Sequence, residues 1–383
     1  MSEPRSLLLP IFCLVCLGII YGSLFPFHFV SELDTLKFTR FGDSWQDVNS
    51  IGDVLGNLVL FFPYGYLACL LAERARRALF VAVALVLLGV LLALACQLAQ
   101  LFIPGRDPSL ADWALDVTGM ALGWLVGRRL PLGTAAARRG LRSAHHLPLV
   151  LVLLWLASEL LPGVPSIDRQ AWENALKPLF FSQAWYWQGA LLATLCWLVC
   201  FHLLERRVGW WLSSRTLCLG AAFVVVARIV VIERSLEPVA VSGLACAVLL
   251  WLSGARDWRG DYLAIALFVA FALDAVAPFI ARGSPQTFGW LPFAGYLQGS
   301  MLVNAIALCR KLFVFGAVAL LFLKDNPWRL RWALAAAVSL LGLEIGQRYV
   351  GWGTPTLTDP ILFLVVVWIV VSHTGLARNT ARA

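Results

Sequence analysis

Apolar runs of about 20 residues, the length that crosses the hydrocarbon core of a bilayer, recur along the whole chain. They lie near 7–24, 53–72, 78–103 and 110–129, then near 147–161, 188–204, 217–232 and 238–253, and last near 262–280, 304–323, 331–350 and 358–374. The pattern predicts an all-α transmembrane bundle of about twelve spans. Grouped by the polar residues between them, the spans fall into repeated four-helix units over about 1–130, 147–254 and 262–376. The stretch from Leu7 to Tyr21 has the apolar character of a signal peptide. No small-residue cleavage site follows it, so it reads as a retained first span.

The polar positions punctuate the spans in a repeated way. Gln97-Leu-Ala-Gln100 ends one span, Pro104-Gly105-Arg106 makes a turn, and Asp112 and Asp116 open the next, ahead of Gly119 and Gly123. Near the C-terminus Glu344, Gln347, Gly351, Gly353, Thr356 and Asp359 repeat this grammar, with the same spacing from Gln347 to Asp359 as from Gln100 to Asp112. Upstream, Asp53 and Asn57 precede Phe61-Phe62-Pro63-Tyr64-Gly65, and Asn304 and Lys311 precede Phe313-Val314-Phe315-Gly316. A Pro-Phe pair comes before each of these, Phe25-Pro26-Phe27 in one copy and Leu291-Pro292-Phe293 in the other. The middle hairpin, from Arg228 to Ser242, lacks the Gln and the Asp and reads as a decayed third copy.

Composition sharpens this picture. Of 383 residues 60% are hydrophobic and 14% charged, with mean hydropathy +0.80, whereas a soluble domain carries about a quarter charged residues. The formal charge of +8 calls for no nucleic-acid partner. Arg74, Arg76 and Arg77, then Arg128, Arg129, Arg138, Arg139 and Arg142, then Arg206, Arg207 and Arg215 all fall on one side of the twelve-span pattern. Arg256 and Arg259, Lys324, Arg329 and Arg331, and finally Arg378 and Arg382 join them. By the positive-inside rule that side is cytoplasmic, with both termini. The Gln100–Asp112 loop and its echo then face outward. The nine cysteines form no metal-ligand pattern with histidine, and no Walker, H-E-x-x-H or G-x-S-x-G run is present, so neither a metal nor a cofactor is expected.

Each polar group has a structural and a functional reading. Asp112 and Asp359 are placed to cap the helices they open. Asp116 shares a face with Asp112 by the i,i+4 rule, and two carboxylates on one face need more than capping. Arg106 is their natural partner, or a bidentate clamp for a phosphate or carboxylate. Gln100 and Gln347 suit hydrogen bonds between helices as well as ligand contact. Lys311 and Glu344 lie within apolar spans, where an unpaired charge is costly, and Arg228 and Asp274 are further candidates for an intramembrane pair.

The Asp53/Asn57-Phe-Phe-Pro-x-Gly stretch and the run from Gln100 to Gly123 resemble the VanZ-like family of bacterial membrane proteins, best over about 20–130 and again over about 280–372. The family pattern has Glu three residues before the Gln, supplied by Glu344 but replaced by Gln97. It has Asn four residues after the Asp, where this chain has Asp116 and Phe363, and an Arg kept as Arg106 and lost at Gly353. The resemblance implies a protein of the bacterial cytoplasmic membrane, its namesake being linked to tolerance of the glycopeptide teicoplanin. Three function classes follow. The first is an envelope protein binding an anionic lipid-linked or cell-wall ligand at the outer face. Its ligand-binding residues would be Gln100, Arg106, Asp112, Asp116, Glu344, Gln347 and Asp359, supported by Asp53, Asn57, Asn304 and Lys311. The second is a membrane transferase or hydrolase acting on a phospholipid or lipid-linked glycan, with the carboxylates as acid and base. The third is a transporter, which the repeats suggest and the outer placement of the polar groups disfavours.

Overall fold

The computed structural model describes residues 8–31, 35–46, 51–129, 147–181, 186–208, 213–298, 300–323, 326, 328–351 and 353–380. Among the described residues there are fourteen α-helices and no named strand, as expected where the backbone must satisfy its own hydrogen bonds in lipid. Every apolar run predicted above forms a helix. Among the described residues, four helices are long and apolar enough to cross a membrane, Gly56–Arg74, Ala78–Gln100, Trp187–Arg206 and Leu302–Leu323. The chain divides into two compact units, Met1–Ser143 and Ala144–Ala383. The first covers the predicted unit 1–130, and the second contains both 147–254 and 262–376.

The first unit consists of α1 (Leu8–Leu24), α2 (Thr35–Asp43), α3 (Ile51–Arg74), α4 (Ala78–Gln100) and α5 (Leu110–Arg129). Helices α3 and α5 lie along each other, backbone to backbone. A Cβ on Gly119 or Gly123 would strike the carbonyl oxygens of Leu58 or Phe62. Small residues permit such an approach and are the usual glue of helices in lipid. Phe12, Ile19, Phe61, Tyr64 and Met120 fill the core beside this seam. Helix α4 turns Leu79, Phe80, Val83, Leu87 and Leu91 outward, an apolar face that suits hydrocarbon and not water.

The second unit consists of α6 (Leu147–Leu160), α7 (Arg169–Phe181), α8 (Trp187–Val208), α9 (Ser214–Ala227), α10 (Pro238–Leu252), α11 (Gly260–Ala275), α12 (Met301–Val318), α13 (Arg329–Gln347) and α14 (Thr358–Thr380). One core runs through it, from Leu151 to Val370. Helix α8 is packed against α6, α10 and α11 and buries Leu192, Leu198, Val199 and Phe201. The Phe313-Val314-Phe315 run of α12 is fully buried, with Phe315 edge-on to Phe363 of α14 at 5.4 Å.

Helices α2 and α7 were not predicted. Both are too polar to register as spans, yet α7 has local reasons to form. Asp168 accepts from the Gln170 N–H at 3.0 Å, the pattern of a helix start, and Arg169 pairs with Glu173 one turn on at 3.0 Å.

Three corners share a local geometry. After α1, α6 and α11 come the cis bonds Phe25-Pro26, Leu161-Pro162 and Ala277-Pro278, each followed by a left-handed residue, Phe27 (φ 64), Gly163 (φ 72) and Phe279 (φ 64). The chain then pairs with the end of a later helix hairpin. Val30 donates its N–H to Phe102 O (2.9 Å), Ser166 to Val230 O (2.7 Å) and Arg282 to Tyr349 O (2.8 Å).

Candidate functional site

In the first unit the predicted residues are held by one another and by the corner. Gln100 Nε2 donates to Ser23 O at 2.9 Å, joining α4 to the end of α1. Arg106 Nε donates to Phe25 O at 3.1 Å, and Lys37 of α2 donates to Arg106 O at 2.8 Å. Asn57 donates to Asp112 Oδ1 at 2.6 Å. The helix start that Asp112 was expected to cap is capped by Ser109, whose Oγ accepts the Asp112 N–H at 2.9 Å. Capping therefore falls to the residue three positions earlier, and Asp112 turns its carboxylate to α3. Asp116, 2% exposed, accepts from Gln97 Nε2 at 3.5 Å. The side chain of Asp53 lies outside the described residues.

In the second unit the echo of this pattern lines a cavity of about 840 Å³. Lys311 of α12 donates to Asp359 Oδ1 of α14 at 2.6 Å, with the ammonium 5.6 Å from the centre of the Tyr296 ring. Glu344 of α13 accepts the Thr356 N–H at 2.8 Å, and its carboxyl adjoins that of Asp359. Gln347 donates to Ala275 O at 2.8 Å, as Gln100 does to Ser23 O. Asn304 donates to Tyr296 O at 3.0 Å and Gln298 O at 2.7 Å, fixing the turn that carries Tyr296. The segment between α11 and α12 is clipped to the α13–α14 turn by Gly289 N–H to Pro355 O (2.9 Å) and Leu357 N–H to Gly289 O (3.1 Å).

Two pairs differ from expectation. Asp274 is bound by Arg310 at 3.2 Å, and Arg228 by Glu159 at 3.3 Å. Sequence reading selected Lys311 and passed over Arg310. Yet adjacent cations in an apolar run each need a counter-charge, and successive helical positions point in different directions, here to α14 and α11. Glu159, Tyr186 and Tyr296 were missed as well, because each reads as a span end or an interfacial aromatic until its partner is known.

The structure thus brings Glu344, Gln347, Asp359, Asn304 and Lys311 together around one cavity. It joins Asn57 to Asp112 and Gln97 to Asp116 in the first unit. Gln100 and Arg106 bind backbone carbonyls there and hold the corner. Chemically, the cavity offers paired charges, two amides, threonine hydroxyls and aromatic side chains.

No curated protein and no solved structure matches the chain. Residues 12–131 match the family model described as VanZ/LLP1, a stretch that runs from within α1 through α5 and includes the Gln100–Asp112 hairpin. Together with the apolar helices this identifies a membrane protein whose residues 12–131 belong to the VanZ-like family.

Proposed function

We propose that this is a twelve-span protein of the bacterial cytoplasmic membrane, both termini inside, that binds the headgroup of a lipid-linked or cell-wall ligand at the outer end of its second unit. The observation that carries the reading is the convergence of Lys311, Glu344, Gln347 and Asp359, from three helices, on one cavity of about 840 Å³. Ligand pockets span about 300–1,000 Å³. Charged groups kept within apolar helices usually mark a pathway or a site. A change in glycopeptide tolerance is an expected consequence, since such drugs act on the same surface.

The architecture we propose is three four-helix copies. The reading is supported by the three corners, each paired to a hairpin end by the same kind of backbone bond. In this alignment the counterpart of Phe25-Pro26-Phe27 is Ala277-Pro278-Phe279, not Leu291-Pro292-Phe293. Arg228 then occupies the place of Gln100 and Gln347, and the middle copy has exchanged an amide-to-carbonyl bond for the Arg228–Glu159 ion pair.

A membrane transferase or hydrolase is the second reading, favoured by the adjoining carboxyls of Glu344 and Asp359, since acid–base catalysis uses such pairs. The test is a mass-spectrometric profile of phospholipids and lipid-linked glycans in a deletion strain, complemented with wild type or with Glu344→Gln. Binding predicts unchanged profiles with altered drug tolerance. A species that accumulates in the deletion and with Glu344→Gln favours the enzyme. If Glu344→Gln matches wild type in both respects, the cavity is not the working site.

A further inference from the structure

The cavity of the second unit carries charge of both signs, and how that charge is committed says what it can hold. Its charged lining is Arg310, Lys311, Asp274, Glu344 and Asp359. A phosphate or carboxylate ligand needs an uncommitted cation or a free helix N-terminus. Lys311 is bound to Asp359 at 2.6 Å and Arg310 to Asp274 at 3.2 Å. The nearby helix starts are also taken: Asp359 sits in the first turn of α14, and Ser300 caps α12. With three carboxyl groups against two cations, the lining does not favour an anion. A cationic ligand fares no better. Two of the carboxylates already hold a cation, and Lys311 sits by the Tyr296 ring, where a ligand ammonium would go.

What the lining does offer is donors and acceptors side by side in fixed geometry. Each ion pair presents an N–H beside a carboxylate oxygen, and Thr354, Thr356 and Thr358 add hydroxyls to a lining that also holds the aromatic side chains of Tyr186 and Phe271. A sugar presents the complement, since each hydroxyl both donates and accepts and its C–H faces pack on aromatic rings. We propose that this cavity binds an uncharged, polyhydroxylated glycosyl group, in place of the anionic ligand expected from the sequence. The inference rests on the reading of the cavity as a headgroup site.

The test uses the full chain in phosphatidylcholine nanodiscs. Dihexosyl diacylglycerol or phosphatidylglycerol is added, and retained lipid is read by native mass spectrometry. Ala307→Phe, in a residue of α12 that lines the cavity, fills space without removing a charge, and circular dichroism checks its fold. Supporting the proposal, wild type retains the glycosyl lipid in preference to phosphatidylglycerol, and Ala307→Phe weakens this at least about tenfold. Competition by a free disaccharide would assign recognition to the sugar alone, and its failure to compete to a lipid-linked sugar. Preferential retention of phosphatidylglycerol, lost in Ala307→Phe, overturns the glycosyl class and leaves the headgroup site standing. If Ala307→Phe folds and changes the retention of neither lipid, both readings fall. Should Ala307→Phe misfold, the paired variant K311M/D359L takes its place, with the same outcomes.

Discussion

At the scale of single residues, the polar groups of this chain divide by what holds them. Gln100 and Gln347 donate to main-chain carbonyls of a neighbouring helix end, so their first task is to fix a corner. Gln100→Ala should cost about 0.6–2 kcal/mol, the worth of such bonds in membranes, read from unfolding in detergent. The Lys311–Asp359 pair behaves differently. Asp359→Ala strands a half-buried ammonium and should cost about 3–5 kcal/mol. The paired variant K311M/D359L removes both charges and should lose far less. Equal losses in the two would show that the pair contributes by attraction alone, without a desolvation cost. Both residues were visible in the sequence, but their pairing was not. Forty-odd residues of intervening chain had to fold before α12 met α14.

At the scale of elements, the seam between α3 and α5 is the most exacting feature of the first unit. Gly119 and Gly123 admit carbonyl oxygens of α3 where a side chain would stand. Gly123→Val must push the two backbones apart, and should cost about 1–3 kcal/mol or more by overpacking. Limited proteolysis should then cut the first unit of the variant faster than that of wild type, while Gly18→Val, whose Cβ has open space, leaves the rate unchanged. If both variants resist equally, the seam is looser than its geometry states. The glycines stood out in the sequence at helical spacing, but the close contact and α3 as its partner came only from the packing of the helices. Helices α2 and α7 escaped notice because a hydropathy window tuned to bilayer spans averages away short polar helices.

For the whole molecule, the arginines carry the proposed orientation. Alkaline phosphatase works only when exported, so a fusion after Asp107 or Gly283 should be active and one after Arg77 or Arg256 inactive. A fluorescent protein at the C-terminus should light up from the cytoplasm. The reverse pattern at every junction would invert the proposed topology, and a mixed pattern would break the twelve-span count. The two compact units also set a limit on how the sites are to be read. The Gln100–Asp112 hairpin belongs to the first unit and the Gln347–Asp359 hairpin to the second, so each has its own neighbours and its own charge balance.

The apolar runs by themselves determined the helical class, the positions of the apolar helices and the membrane setting, because span length and hydropathy are properties of contiguous sequence. They also made the two hairpins recognisable, since turn residues and helix-opening carboxylates lie close together along the chain. The tertiary structure alone decided which charge meets which. Arg310 found Asp274, Arg228 found Glu159, and Asp112 gave its capping role to Ser109 and turned to Asn57. Partner choice depends on the distances between groups on different helices, and those are set by how the helices pack, which no stretch of sequence encodes locally.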